Sequence, residues 1–93
     1  MVWSDGSDVC SGRLDVHRGG LDLHGRVGVL RLAFRDVNRA SIERGRADRL
    51  RGLPVLRLSG RGGTSVRIAS LQGPGVLHEL AGHVERAGLT VAA

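Results

Sequence analysis

The chain has 93 residues, 41% of them hydrophobic and 25% charged, with a net charge of +5 and one cysteine, Cys10. That length fits one domain with one modest core. It excludes an internal disulfide, and no apolar run approaches the roughly 20 residues of a membrane span.

All fourteen basic residues are arginine, and there is neither lysine nor tyrosine. With abundant Gly, Ala, Val and Leu, this bias reads as GC-rich coding, so an arginine here is weaker evidence of anion recognition than usual. The opening "MVWSDGSDVCSG" has neither a basic nor an apolar stretch of the signal-peptide kind. The expectation is a cytoplasmic protein, membrane-peripheral at most.

Residues 1–11 are polar and lack a period, which predicts a flexible N-terminal arm with Trp3 as its anchor. The domain proper is expected over 12–93. From Gly12 onward the apolar period is two. Leu14 and Val16 alternate with Arg13, Asp15 and His17; Leu21 and Leu23 alternate with Asp22 and His24. Each reads as a strand with one wet face.

The repeat of Asp-x-His in "RLDVHRGGLDLHG" raises a metal site. Matching the leucine faces instead fixes a hairpin, with Val16 opposite Leu21, Leu14 opposite Leu23 and a turn at Arg18-Gly19. Asp15 then faces Asp22, and the two histidines stand four residues apart along the strand. At 3.3 Å per residue that is roughly 13 Å, too far to share an ion with bonds near 2 Å. No metal and no cofactor are expected.

After the turn "GRVG" at 25–28, Leu30, Leu32 and Phe34 form a third strand, with Leu23 opposite Leu30 and Asp22 opposite Arg31. Asp36 turns the chain into a fourth strand carrying Ala40 and Ile42. Residues 44–51, "RGRADRLR", concentrate Arg44, Arg46, Arg49 and Arg51. They read either as a solvated loop or as a patch for acidic lipid or nucleic acid.

The fifth strand holds Leu56 and Leu58, and the sixth Val66 and Ile68, separated by "GRGG". Their wet faces put Arg57 and Arg67 opposite or one diagonal step apart, with Arg61 in the turn between. Like charges so placed repel, which makes these three arginines the best candidates for holding an anion or partner. After Gly73-Pro74-Gly75 the period becomes helical. Val76, Leu77, Leu80, Ala81, Val84 and Ala87 share one stripe, predicting an amphipathic helix at about 75–88. His78 and His83 diverge on it and make no metal pair.

Six strands followed by one amphipathic helix, carried by "GRLDVHRGGLDLHG", "LRLAFRDVNRASIERG" and the stretch from Leu53 to Gly88, resemble the bacterial pleckstrin-homology-like (PH-like or GRAM-like) domains. The resemblance implies a mainly β fold with one C-terminal helix: an antiparallel barrel of six to seven strands capped by that helix. A seventh strand would lie in the arm or in 44–51. The lysine-rich turn with which lipid-reading members bind headgroups is missing, since Arg18 stands alone there. Leu80 or Val84 takes the place of the helix tryptophan usual in the family.

What the resemblance leaves is the family's other use, docking proteins. No Gly-x-Ser-x-Gly, P-loop or dinucleotide fingerprint is present. Only Trp3 and Phe34 are aromatic, too few for stacking on bases. The expected function is therefore a non-catalytic binding or adaptor module for protein–protein interaction or self-association. Its alternatives are weak binding to an anionic membrane surface or nucleic acid, and an undetected enzyme. An unpaired sheet edge would carry the interaction, with the fourth strand (39–44) and fifth strand (53–59) as the expected edges.

Overall fold

The computed structural model describes residues 1–6, 8–26 and 28–92, and the side chains of Arg61 and Pro74 lie outside that description. Ser7 of the expected arm, Val27 of the turn at 25–28 and Ala93 are therefore outside the described residues.

The period-two leucines form the hairpins the sequence dictates. Strands β3 (Arg13–His17), β4 (Gly20–His24) and β5 (Val29–Ala33) make a three-stranded antiparallel sheet. Its register is the expected one, with Leu14 opposite Leu23, Val16 opposite Leu21, Leu23 opposite Leu30 and Leu21 opposite Leu32. A short 3₁₀ turn, Phe34–Asp36, ends this sheet and buries Phe34.

A second sheet holds β1 (Val2–Ser4), β2 (Val9–Ser11), β6 (Val37–Glu43), β7 (Val55–Gly60), β8 (Ser65–Ala69) and β9 (Val91–Ala92) in the order β2-β1-β8-β7-β6-β9. All its pairs are antiparallel except β6 with β9. The protein is thus mainly β with one C-terminal helix, and its two sheets are not closed into a barrel.

The described residues among 1–11 correct the sequence reading. They are no loose arm but a hairpin of the larger sheet: β1 pairs with both β2 and β8, and Val2, Trp3 and Ser4 are buried. Three residues are too short a run to show a period, while burial on both faces of β1 erases alternation. Past Ser11 the strand continues through Gly12, which pairs with Met1, and becomes β3 of the other sheet. Gly12 is the corner of this bent strand. A Cβ there would stand 2.0 Å from the His24 carbonyl oxygen.

Inner faces of both sheets pack on helix α1 (Pro74–Arg86) through one core that includes Trp3, Leu21, Leu56, Ile68, Leu77, Leu80 and Val84. The helical stripe is as expected except at its end. Ala87 is exposed because the helix stops there. The stop is a Schellman arrangement: Gly88, at φ +100°, donates to Glu85 O, and Leu89 donates to Val84 O. Among the described residues no helix is long and apolar enough to cross a membrane.

Gly82 sits inside α1 with only the Arg86 guanidinium near its missing Cβ, at 3.7 Å. Gly82→Ala should therefore raise stability by about 0.5–1 kcal/mol, the helix-propensity gain, in a urea titration. A loss instead would mean that this helix face has a neighbour needing the space.

Candidate interaction surface

The seven arginines singled out by sequence fall into two groups. Arg57 on β7 stands directly opposite Arg67 on β8, on the outer face of the larger sheet. The chain itself supplies the anion between them. Arg57 Nη2 pairs with Asp48 Oδ1 at 3.2 Å, Arg57 Nε lies 3.1 Å from Glu43 Oε2, and Arg67 Nη1 donates to the Asp48 carbonyl at 3.1 Å. The Glu43 contact is one of charge, because those two buried atoms are not aligned as a hydrogen bond.

Asp48 is delivered by the run at 44–51, which folds over the sheet rather than standing in solvent. Leu50 and Leu53 exchange backbone hydrogen bonds across a two-residue turn with positive φ at Arg51 and Gly52. Together with Val2, Val55 and Ala69 these leucines form a second, smaller core. Arg49 braces the loop by donating to the carbonyls of Arg44 and Gly52. Arg44, Arg46 and Arg51 are exposed and carry no ion pair among the described residues. The side chain of Arg61 is outside the description, and its backbone lies in the 3₁₀ turn Arg61–Gly63.

The Asp48–Arg57 pair is about a third exposed on each side, so it belongs with surface ion pairs worth under about 1 kcal/mol. Asp48→Asn should cost about 0.5–1 kcal/mol at low salt in urea unfolding, fading as salt screens the pair. A large loss independent of salt would show that the carboxylate, rather than Leu50 and Leu53, anchors the loop.

On the wet face of the small sheet each aspartate of the two Asp-x-His units has a histidine of the other unit beside it. Asp15 stands opposite Asp22. His17 Nε2 lies 3.4 Å from Asp22 Oδ1, His24 Nε2 lies 3.0 Å from Asp15 Oδ2, and Arg13 also pairs with Asp15 at 3.2 Å. Arg31 is opposite Asp22 but makes no ion pair among the described residues.

The expected edges also need correction. β7 is interior, between β6 and β8, and the outer side of β6 is covered by β9 at Ala40 and Ser41. β7 is hydrogen-bonded on both sides, so no strand can be added at Arg57. β5 is an edge of the small sheet. Gly25 N–H donates to Gly28 O, and Phe34 N–H donates to Gly19 O. The antiparallel alternation between these points directs Leu30 and Leu32 toward β4. The backbone groups of Val29, Arg31 and Ala33 therefore face away from the sheet.

Beside this edge the two sheets part. A cavity of about 590 Å³ opens between Trp3, Cys10, Leu23, Val29 and Leu30, and a second of about 290 Å³ between Leu30, Leu32, Leu58 and Val66. Leu30 and Asp5 belong to both, so they make one seam along β5, mostly apolar but edged by Asp5, Asp8 and Arg26 in the first and by Arg31 and Asp36 in the second. Val29, at 46% exposure, stands at its mouth.

Sequence reasoning missed Val2, Leu50 and Leu53 as core and β5 as the edge. The spacing of Leu50 and Leu53 about Arg51-Gly52 was the one signal for the loop. The seam has none, because it depends on how two sheets meet. Among the described residues no three His, Cys, Asp or Glu side chains group as an ion would require. Compared with protein-family models, with curated proteins and with solved structures, the chain matches none.

Proposed function

We propose that this protein is a non-catalytic PH-like binding module, an adaptor that takes an extended strand from another protein, or from a second copy, along β5. The observation that carries the reading is the outward-facing backbone of Val29, Arg31 and Ala33 beside a mostly apolar seam. A sheet edge of this kind supplies main-chain hydrogen bonds for affinity, and pockets for alternate side chains supply choice of partner.

The PH-like part of the proposal is supported by strand count. With β2 and β3 taken as one strand bent at Gly12, seven strands precede α1, which is the number usual in that family. The seam along β5 is then the side on which the barrel stands open. A cytoplasmic location belongs to the same proposal.

The test is Arg31→Pro. The Arg31 N–H points away from β4, so proline there removes a donor for an incoming strand and none from the ladder, as edge positions allow. Strand-shaped peptide binding, or concentration-dependent association in light scattering, should be lost while the thermal midpoint falls by a few degrees at most. Unchanged binding by the folded variant would remove β5 from the reading. Turnover or tight small-molecule binding by a protein that takes no peptide would overturn it.

A further inference from the structure

We infer that the strand taken up by β5 is foreign and acidic: an extended partner segment with apolar side chains on one face and a carboxylate opposite Arg31. The inference rests on the strand-docking reading and names its partner chemistry.

Arg31 sits at the centre of the free edge, exposed, on the wet face of the sheet. A strand added beside β5 brings one residue directly opposite it, with Cβ atoms about 5 Å apart. Asp22, its cross-strand neighbour on β4, is engaged by His17 at 3.4 Å, and Arg31 has no ion pair among the described residues. A carboxylate on the incoming strand meets this unspent cation. It stays two strand spacings, roughly 10 Å, from Asp22, a separation at which salt screens the repulsion. Arg26 and Arg35, both exposed, flank β5, but Asp8 and Asp36 stand at the same two ends and offset them, so the selecting charge is Arg31 itself.

The same arginine opposes a second copy. Two β5 edges paired antiparallel in full register set Arg31 against Arg31 of the other molecule, and Val29 against Ala33. Like charges directly opposite destabilise a strand pair, and a charge on the edge is how sheets resist joining their own kind. On the inner side, the seam on either side of Leu30 receives the partner's apolar residues at alternate positions.

The experiment titrates the intact protein with two short synthetic peptides. Both carry valine at alternate positions, with glutamate between the valines in one and lysine in the other. Amide hydrogen exchange reads the site and fluorescence anisotropy reads the affinity. The glutamate peptide should protect the amides of Val29, Arg31 and Ala33 and bind about threefold or more tightly than the lysine peptide at low salt. Arg31→Glu should invert that preference, and Arg31→Ser should erase it without adding a charge. Equal protection by both peptides, or pairing of wild-type copies through β5, would overturn the acidic partner and leave strand docking standing. Absence of protection at β5 with either peptide and at any protein concentration would bring down both.

Discussion

Gly12→Ala should lower stability by about 3–5 kcal/mol, in the range reserved for severe steric or core defects. A domain of this length has about 5–14 kcal/mol in total, so the variant should be largely unfolded at physiological temperature. The cause is local. At Gly12 the bent strand passes within contact of the last residue of β4, and a Cβ would meet His24 O at 2.0 Å and the Trp3 ring at 3.1 Å. A carbonyl fixed by its own ladder cannot step aside as a flexible side chain would. Gly19→Ala is the control, because its nearest atom is His17 Nδ1 at 3.9 Å, and it should change stability by less than about 0.5 kcal/mol. Thermal unfolding of the two variants decides the matter. Equal losses would show that the corner opens without cost.

Trp3→Ala should be of similar size, about 3–5 kcal/mol, as for a buried aromatic truncated to alanine. Trp3 is 4% exposed, opposite Cys10 on one side and Ile68 on the other, and its ring packs beneath both Gly12 and Gly25. Its removal would leave a hole where the two sheets meet, next to the seam. Since Trp3 is the only tryptophan, the native protein reports the same fact spectroscopically. Its emission should be that of a buried indole and shift to longer wavelength on unfolding. A solvent-like native emission, with an unperturbed melting point in Trp3→Ala, would return residues 1–11 to the status of a loose arm.

The contrast between these residues and the rest explains what the sequence could disclose. In β3, β4 and β5 one face is buried and the other wet, so alternation identified the strands and matching of leucines fixed their register, down to Asp15 opposite Asp22. The switch to a helical period located α1 for the same reason. β1 is buried on both faces and only three residues long, and β9 is shorter still. Neither leaves a periodic trace.

For the candidate surface the limit is different. Parity put Arg57 and Arg67 opposite or one diagonal step apart, and they stand opposite. What neutralises them is Asp48, brought back by a loop whose path depends on Leu50 and Leu53 finding a small core on the outer face. Likewise, which strand lies at an edge is a property of sheet order. That order was set by β1 joining β8 and β9 joining β6, pairings between distant parts of the chain that no local pattern encodes.

The ladder joining Val2 to Ala69 has a kinetic consequence. The hairpins of the small sheet link neighbours in sequence, and such contacts close in microseconds. β1 must remain unpaired with β8 until nearly the whole chain is available. Loop-closure entropy makes that union late and slow. During synthesis the small sheet is complete well before β8 is made, with β5 already presenting its edge, while Trp3 has no β8 to pair with. The surface proposed to recruit a partner is thus formed before the molecule is finished, in the interval when an edge strand is most exposed to wrong pairing. On the proposed reading, Arg31 at the centre of that edge would oppose pairing between nascent copies on the same message.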